Sequence, residues 1–247
     1  MDKLSKEQDF HNHAFSNNVR AETNRFYSIF YLIQNQYLKT LTQNSQGKKY
    51  LEYGCGEGSS AYEIARNGGV VYGIDISNFA IEQARIKAAK QNLGITFKQM
   101  NAEDIKFEPD FFDLVCGSGI LHHLDVEKAY AEISKVLKPG GKAIFMEPLG
   151  RNFLINWYRN RTPQLRTEDE HPLLKTDIKK LDQFFGDKKT SFYFFTALAA
   201  IPLRNSRIFK PVLHFLNRID KFIFTLLPFM RWHAWFVLIE MSKPKEC

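Results

Sequence analysis

The stretch Leu51–Gly58, LEYGCGEG, limits what this chain can fold into more than any other. An apolar run, Lys49-Tyr50-Leu51, leads to Glu52; glycines follow at positions 54, 56 and 58; Ser59 to Arg66 then has a helical pattern. That order predicts strand, tight turn, helix. Glycine lacks a Cβ, so the backbone can turn sharply and approach a ligand closely. The helix start behind the turn offers free N–H groups and a positive dipole end. A second apolar run, Val70 to Ile74, ends in Asp75. An acidic residue closing the second strand, about twenty residues after the glycine turn, suits the two hydroxyls of a ribose. The pair predicts a nucleoside site.

The rest of the first half repeats the alternation. A helical pattern runs from Arg20 to Leu41 through Phe26, Ile29, Phe30, Ile33 and Tyr37, and Thr42 to Lys48 reads as a loop. Ser77 is a predicted N-cap for a helix over Asn78 to Gln91, which Asn92-Leu93-Gly94 stops. Ile95 to Met100 and Phe111 to Gly117 read as the third and fourth strands. Asp125 caps a helix over Val126 to Leu137, Lys138 to Gly141 reads as a turn, and Lys142 to Glu147 as the fifth strand. Five such alternations predict a mainly parallel sheet with helices on both faces, with ligands at the carboxyl ends of the strands. Glu52 to Gly58, Asp75, Asn101 to Glu103, Gly117-Ser118 and Glu147 all fall at those ends.

Composition narrows the partners. The 247 residues suit one large domain, with 44% hydrophobic residues for its core and a net charge of +7 that permits an acidic partner without demanding one. Cys55, Cys116 and Cys247 are scattered and form no C-x-x-C pair, so reduced thiols in a cytoplasmic protein are expected, with Cys55 packing in the turn. The charged start MDKLSKEQDF has no apolar core and is not read as a signal peptide, and no apolar run reaches membrane-spanning length.

The nucleoside itself is constrained by Glu52. Dinucleotide sites expect G-x-G-x-x-G facing a pyrophosphate, whereas this turn is G-x-G-x-G behind a carboxylate. A carboxylate repels phosphate and pairs with an amine, which suits S-adenosylmethionine; an ordinary dinucleotide turn is the alternative. LEYGCGEG, GIDIS, NAED, FDLVCGSGILHHL and LKPGGKAIFMEP together resemble the class I S-adenosylmethionine-dependent methyltransferases over about Lys49 to Glu147. The resemblance implies a Rossmann-like, mainly parallel seven-stranded sheet with the last strand antiparallel, and S-adenosyl-L-methionine as cofactor with S-adenosyl-L-homocysteine as product. It implies that Glu52, Gly54, Cys55, Gly56 and Gly58 hold the methionine part, that Asp75 bonds the ribose, and that Ile76 packs on the adenine. Asn101, Ala102 and Glu103 would lie along the adenine edge, with Asn101 where most relatives have Asp. Gly117 and Ser118 would line the methionine side.

The flanks carry a narrower resemblance. FHNHAF, and EPLGRN with YRNRTPQLRTEDEHPL, look like one subgroup of small-molecule methyltransferases, in which the N-terminal segment folds over the cofactor. Phe10, His11 and Phe15 are then lid residues. The expected map is one methyltransferase domain over 1–247: lid and N-terminal helix 1–48, cofactor core 49–148, substrate cap 149–186, C-terminal helix and closing strands 187–247. No metal is expected. Methyl transfer needs an aligned nucleophile and excluded water, and a hydroxyl acceptor can need a base. His122, His123, His171 and Glu147 are the candidates; for His171 the alternative is a loop held by Arg161 or Arg166 on the acidic run 168–170.

Thr176 is a predicted cap for a helix over Asp177 to Phe185, and Thr190 to Phe195 and Trp232 to Met241 read as strands, the second closing the sheet edge antiparallel. Arg204 to Phe229 mixes Phe209, Phe215, Phe222 and Phe224 with five basic residues and one acid, Asp220. It reads as a core helix with a basic outer face, or as a helix lying on an anionic membrane surface. The expected activity is methyl transfer to a small, largely apolar or aromatic acceptor at O, N or C. The alternatives are a non-methylating S-adenosylmethionine enzyme acting on a quinone or lipid at the membrane, and a binding protein without turnover. Nucleic acid is disfavoured, because Gly117-Ser118-Gly119-Ile120 stands where an N-P-P-Y motif would.

Overall fold

In a computed structural model, residues 7–10, 12, 24–163 and 170–244 are described. Seven strands form one sheet in the order β3-β2-β1-β4-β5-β7-β6. They are β1 Lys49–Tyr53, β2 Val70–Asp75, β3 Thr96–Gln99, β4 Phe112–Ser118, β5 Leu137–Pro148, β6 Phe185–Tyr193 and β7 Phe236–Pro244. β1 to β5 are mutually parallel, and β7 runs antiparallel to both its neighbours. The strand order reverses between β1 and β4, which opens a crevice at the carboxyl ends.

Alternating strand residues feed two cores. Tyr50, Leu114, Cys116, Ile144 and Leu238 face one layer with the helices α1 Asn24–Tyr27, α2 Tyr31–Thr42, α3 Ala61–Arg66 and α4 Asn78–Lys90. Leu51, Tyr53, Val115, Phe145 and Val237 face the other, with α5 Val126–Val136. The period of two along each strand is what splits them. The helix caps are as the sequence implies: Ser77 Oγ accepts from Ala80 N–H at 3.1 Å, and Asp125 accepts from Glu127 N–H at 3.1 Å.

Several boundaries differ from the sequence reading. The helix expected over Arg20 to Leu41 is broken at residues 28–30 into α1 and α2, and residues 20–23 lie outside those described. The turn expected at Lys138 to Gly141 is a bulge inside β5, where the pairing register with β4 shifts and Gly140 takes φ +78°. The helix assigned to Asp177–Phe185 is α7 Lys175–Lys180, after α6 Phe153–Arg161. Its cap is made by Asp177, which accepts from Leu174 N–H at 2.8 Å, and not by Thr176. Of Arg204 to Phe229, only α8 Phe209–Leu226 is α-helical, and 3₁₀ turns flank it. β7 does not close the edge. It lies between β5 and β6, and β6 is the edge. The compositions explain the placement: Phe236 to Ile239 is apolar on both faces and suits an inner strand, while β6 carries Asp187, Lys188 and Lys189, charges that protect an edge from further pairing.

Candidate active site

The glycine turn is built around two carboxylates. Gly54, Gly56 and Gly58 have φ of +67°, +51° and +82°, a region where side chains are strained. Asp75 Oδ2 accepts from Gly56 N–H at 2.8 Å, and its Oδ1 accepts from Ser77 N–H at 2.9 Å. Asp75 therefore ties the turn to the start of α4. Glu52 is 2% exposed; its Oε1 accepts from Ser59 Oγ at 2.9 Å and Ser60 N–H at 2.7 Å, and its Oε2 from Ala61 N–H at 3.0 Å. The two N–H groups belong to the start of α3 and would otherwise lack partners. Burial raises the Glu52 carboxyl above its ordinary pKa range, with the three hydrogen bonds opposing it. Cys55 is buried, and burial pushes its thiol well above the ordinary value, as suits a packing role.

Two more strand ends border the crevice. After β3, Asn101 Oδ1 accepts from Glu103 N–H at 2.9 Å, and Tyr53 donates its hydroxyl to the Ala102 carbonyl. Glu103 Oε1 accepts from Asp125 N–H at 2.8 Å, which leaves it tied to the α5 cap. Ile76 is half-buried beside Asp75. At the end of β4, Gly117 is enclosed: a Cβ there would lie 2.8 Å from the Tyr53 carbonyl oxygen and 2.6 Å from the Phe145 ring. Ser118, next to it, is exposed. The N-terminal segment reaches the same rim, since Ser77 Oγ donates to Asn12 Oδ1 at 2.6 Å. Phe10 is half-buried, while His11 and Phe15 lie outside the described residues.

A polar cluster stands beside the turn. Glu147, fully buried at the end of β5, accepts from Ile120 N–H at 2.9 Å and Leu121 N–H at 3.0 Å through Oε1. Its Oε2 lies 2.8 Å from His122 Nδ1. His123 stacks against His122 with ring centroids 4.2 Å apart. His171 is joined through its backbone, donating N–H to the His122 carbonyl at 3.1 Å, while its side chain is on the exposed side. Glu170 Oε1 lies 3.9 Å from His122 Nε2 and 2.8 Å from Arg159 Nη1. Thus His122, His123 and Glu147 meet, and Glu170 with Arg159 joins them. Neither of those two stands out for the chemistry from sequence; the acidic run beside His171 is the signal, and among the described residues Glu170 pairs with Arg159. Arg161 stacks 3.9 Å over the Trp157 ring, and Arg166 lies outside the described residues.

The segment after β5 supplies Arg159, Glu170 and His171 to this cluster. Leu149 N–H donates to the Trp235 carbonyl at 2.8 Å and Gly150 N–H to the Leu173 carbonyl at 3.0 Å, which fastens both ends of the segment to the sheet. Phe26 of α1 meets Tyr158 of α6 at 4.6 Å and Trp235 at 6.1 Å between ring centroids.

Residues 51–145 match the family described as Methyltransferase domain. This part of the chain is a methyltransferase domain. The match takes in the glycine turn, Asp75, the 101–103 segment and the His122-His123 pair. A ubiquinone biosynthesis O-methyltransferase of Brucella ovis is 30% identical over 155 residues, covering 56% of this chain and 62% of the relative. The chain thus spans less than two thirds of that relative. Among solved structures, phosphoethanolamine N-methyltransferase 2 of Haemonchus contortus, in complex with phosphomonomethylethanolamine and S-adenosylhomocysteine, superposes with a TM-score of 0.69 at 21% identity, over 99% of this chain and 61% of that one. Magnesium protoporphyrin IX methyltransferase from Synechocystis gives 0.65 at 16% identity, over 98% and 100%. These two similarities show that the methyltransferase fold extends beyond the matched residues to nearly the whole chain.

Proposed function

We propose that this chain transfers the methyl group of S-adenosylmethionine to a hydroxyl oxygen of a small, largely apolar acceptor. The observation that carries the reading is the meeting, in one crevice, of the glycine turn with Asp75 and the buried Glu147–His122 pair. Asp75, Ile76 and the 101–103 segment would hold adenosine, with Asn101 and Glu103 shaping that segment. Gly54 to Gly58, Gly117 and Ser118 would border the methionine part, with Glu52 and Cys55 setting the turn from beneath. Phe10 and Asn12 would close over the rim. The acceptor would enter as a phenolate-type oxygen, its proton released to water. The carbon–oxygen bond forms as the carbon–sulfur bond breaks, and sulfur leaves with the electron pair as S-adenosylhomocysteine. The cluster of His122, His123, Glu147 and His171 would position that oxygen, and the Phe26–Tyr158–Trp235 aromatics support an apolar partner for it.

Calorimetry with S-adenosylhomocysteine, followed by transfer of labelled methyl to an apolar phenol and to phosphoethanolamine, tests the reading. Methylation of the phenol is the expected result. No binding of S-adenosylhomocysteine would overturn the whole reading, and methylation of the amine alone would overturn the acceptor. Asp75→Ala should weaken S-adenosylhomocysteine by about 1–3 kcal/mol, the cost of unpaired ribose hydroxyls and of the freed Gly56 N–H; unchanged affinity would reject that assignment.

The second partner in this proposal is an anionic membrane surface. No helix among the described residues is long and apolar enough to cross a membrane. On α8, Phe209, Leu213 and Phe224 are buried, while Phe215, Phe222 and Leu226 are more than 60% exposed on another side, continued by Phe229. Arg207, Lys210, Arg218 and Lys221 are exposed around them. Asp220, the acid of this stretch, is buried and accepts from Phe195 N–H at 3.0 Å and Thr196 N–H at 2.7 Å, so the outer face is cationic throughout. An apolar stripe with a basic rim suits the headgroup boundary of an anionic bilayer. Sedimentation with phosphatidylglycerol vesicles should capture the chain, phosphatidylcholine vesicles should capture less, and Phe222→Glu with Phe229→Glu should abolish capture. Equal recovery in the supernatant for all three would remove the membrane from the proposal.

A further inference from the structure

Two imidazoles and a carboxylate converge just beyond the end of β4. One ligand atom from each of His122, His123 and Glu170 lies within 4.8 Å of the other two. The Nδ1 of His122 is engaged by Glu147 at 2.8 Å, so its Nε2 lone pair is turned toward Glu170 Oε1, 3.9 Å away. That distance is too long for a hydrogen bond, and in the tautomer that donates Nδ1–H to Glu147 both atoms are electron-rich. Such a gap suits a cation. A metal ion bound at about 2.0–2.2 Å from nitrogen and oxygen ligands holds its donors roughly 3–4 Å apart, and the His122–Glu170 separation of 3.9 Å lies in that range. A carboxylate on the far nitrogen of a ligating imidazole is the arrangement that fixes the tautomer and orients the ring, and Glu147 supplies it. Arg159, 2.8 Å from Glu170 Oε1, orients the carboxylate.

We propose that His122, His123 and Glu170 bind one divalent transition-metal ion of the Zn²⁺ or Mn²⁺ class. Two imidazoles and one carboxylate favour such an ion over Mg²⁺ or Ca²⁺, which prefer all-oxygen sites. This revises the expectation of a metal-free site. Three protein ligands leave open positions, as in sites where a substrate oxygen joins the ion. Only that last role, the holding of an acceptor oxygen, rests on the methyl-transfer reading; the binding of the ion does not.

The full chain, stripped with a chelator and dialysed, is titrated with Zn²⁺ by calorimetry and with Co²⁺ by visible absorption. One ion per chain is expected, with Co²⁺ ligand-field bands. Glu170→Gln and His123→Ala should each bind at least about tenfold more weakly, and Glu147→Gln about 10–100-fold more weakly, as for other groups that orient a ligand. S-adenosylhomocysteine affinity, measured on every protein, shows that the fold stands in the variants. A wild-type chain that takes up no stoichiometric Zn²⁺ or Co²⁺ would overturn the proposal, and so would folded variants with unchanged affinity. Metal failure with intact S-adenosylhomocysteine binding removes the ion and leaves the methyl-transfer reading standing; the reverse result removes that reading and leaves the ion.

Discussion

Glu52→Ala is expected to lower stability by about 2–4 kcal/mol and to abolish measurable S-adenosylhomocysteine binding. Three donors, Ser59 Oγ and the N–H groups of Ser60 and Ala61, lose their acceptor in a buried place. Each buried donor left unpaired costs about 1–3 kcal/mol, and water entering the vacated space offsets part of the sum. In a domain of this size each 1 kcal/mol lowers Tm by roughly 2–4 °C, so thermal denaturation resolves the effect. The conservative Glu52→Gln variant isolates the charge. Because burial raises the Glu52 carboxyl, the folded chain holds that proton more tightly than the unfolded one. The associated stability is fully present below the ordinary carboxyl range and is lost as pH rises through the raised value. The wild-type advantage over Glu52→Gln should therefore shrink as pH rises out of the acid range. A difference that grows with pH would show that the three hydrogen bonds outweigh burial.

Glu147→Ala is the second large effect. It is expected to reduce methyl transfer by at least about a hundredfold, while S-adenosylhomocysteine affinity changes by less than about tenfold. Glu147 is the acceptor for Ile120 N–H and Leu121 N–H and the anchor of His122 Nδ1. Without it the 3₁₀ turn Leu121–His123 loses its tether to β5, and His122 loses its orientation. Misplacing a reacting group by about 1 Å can cost about a hundredfold in rate. The cofactor-side contacts proposed for Asp75 and the glycine turn follow β2 and β1, with β4 between them and β5, and should persist. A fall confined to KM, with kcat unchanged, would move Glu147 from positioning the chemistry to binding the acceptor.

What the sequence made legible follows from the range of the interactions involved. The strands ending at Tyr53, Asp75 and Ser118 are short apolar runs bounded by glycine or acid, and the caps at Ser77 and Asp125 sit next to the helices that they start. All of these are local signals. The break between α1 and α2 was not legible, because Phe26, Ile29, Phe30 and Ile33 keep a helical spacing across it, while the contacts of Phe26 with Tyr158 and of Phe30 with Trp235 come from distant parts of the chain. The place of β7 was not legible either, since apolar strand character does not say which neighbours it will have. At the site, Glu52, Asp75 and Glu147 could be picked out as acids at strand ends, but their partners lie on other elements. Glu170 and Arg159 come from one segment and reach His122 on another, so no spacing in the chain announces the group that they form.

The inner position of β7 has a consequence for how the molecule is made. β5 can pair with β4 as soon as both exist, yet its other edge waits for a strand from the far end of the chain. β6 waits as well, since among the described residues its only sheet partner is β7. Pairing between segments so distant in sequence closes slowly, and an apolar strand with an open edge invites association with other chains in the interval. The half of the protein that forms the glycine crevice can thus reach its native pairing early, while the half that follows β5 assembles last around one late-arriving strand.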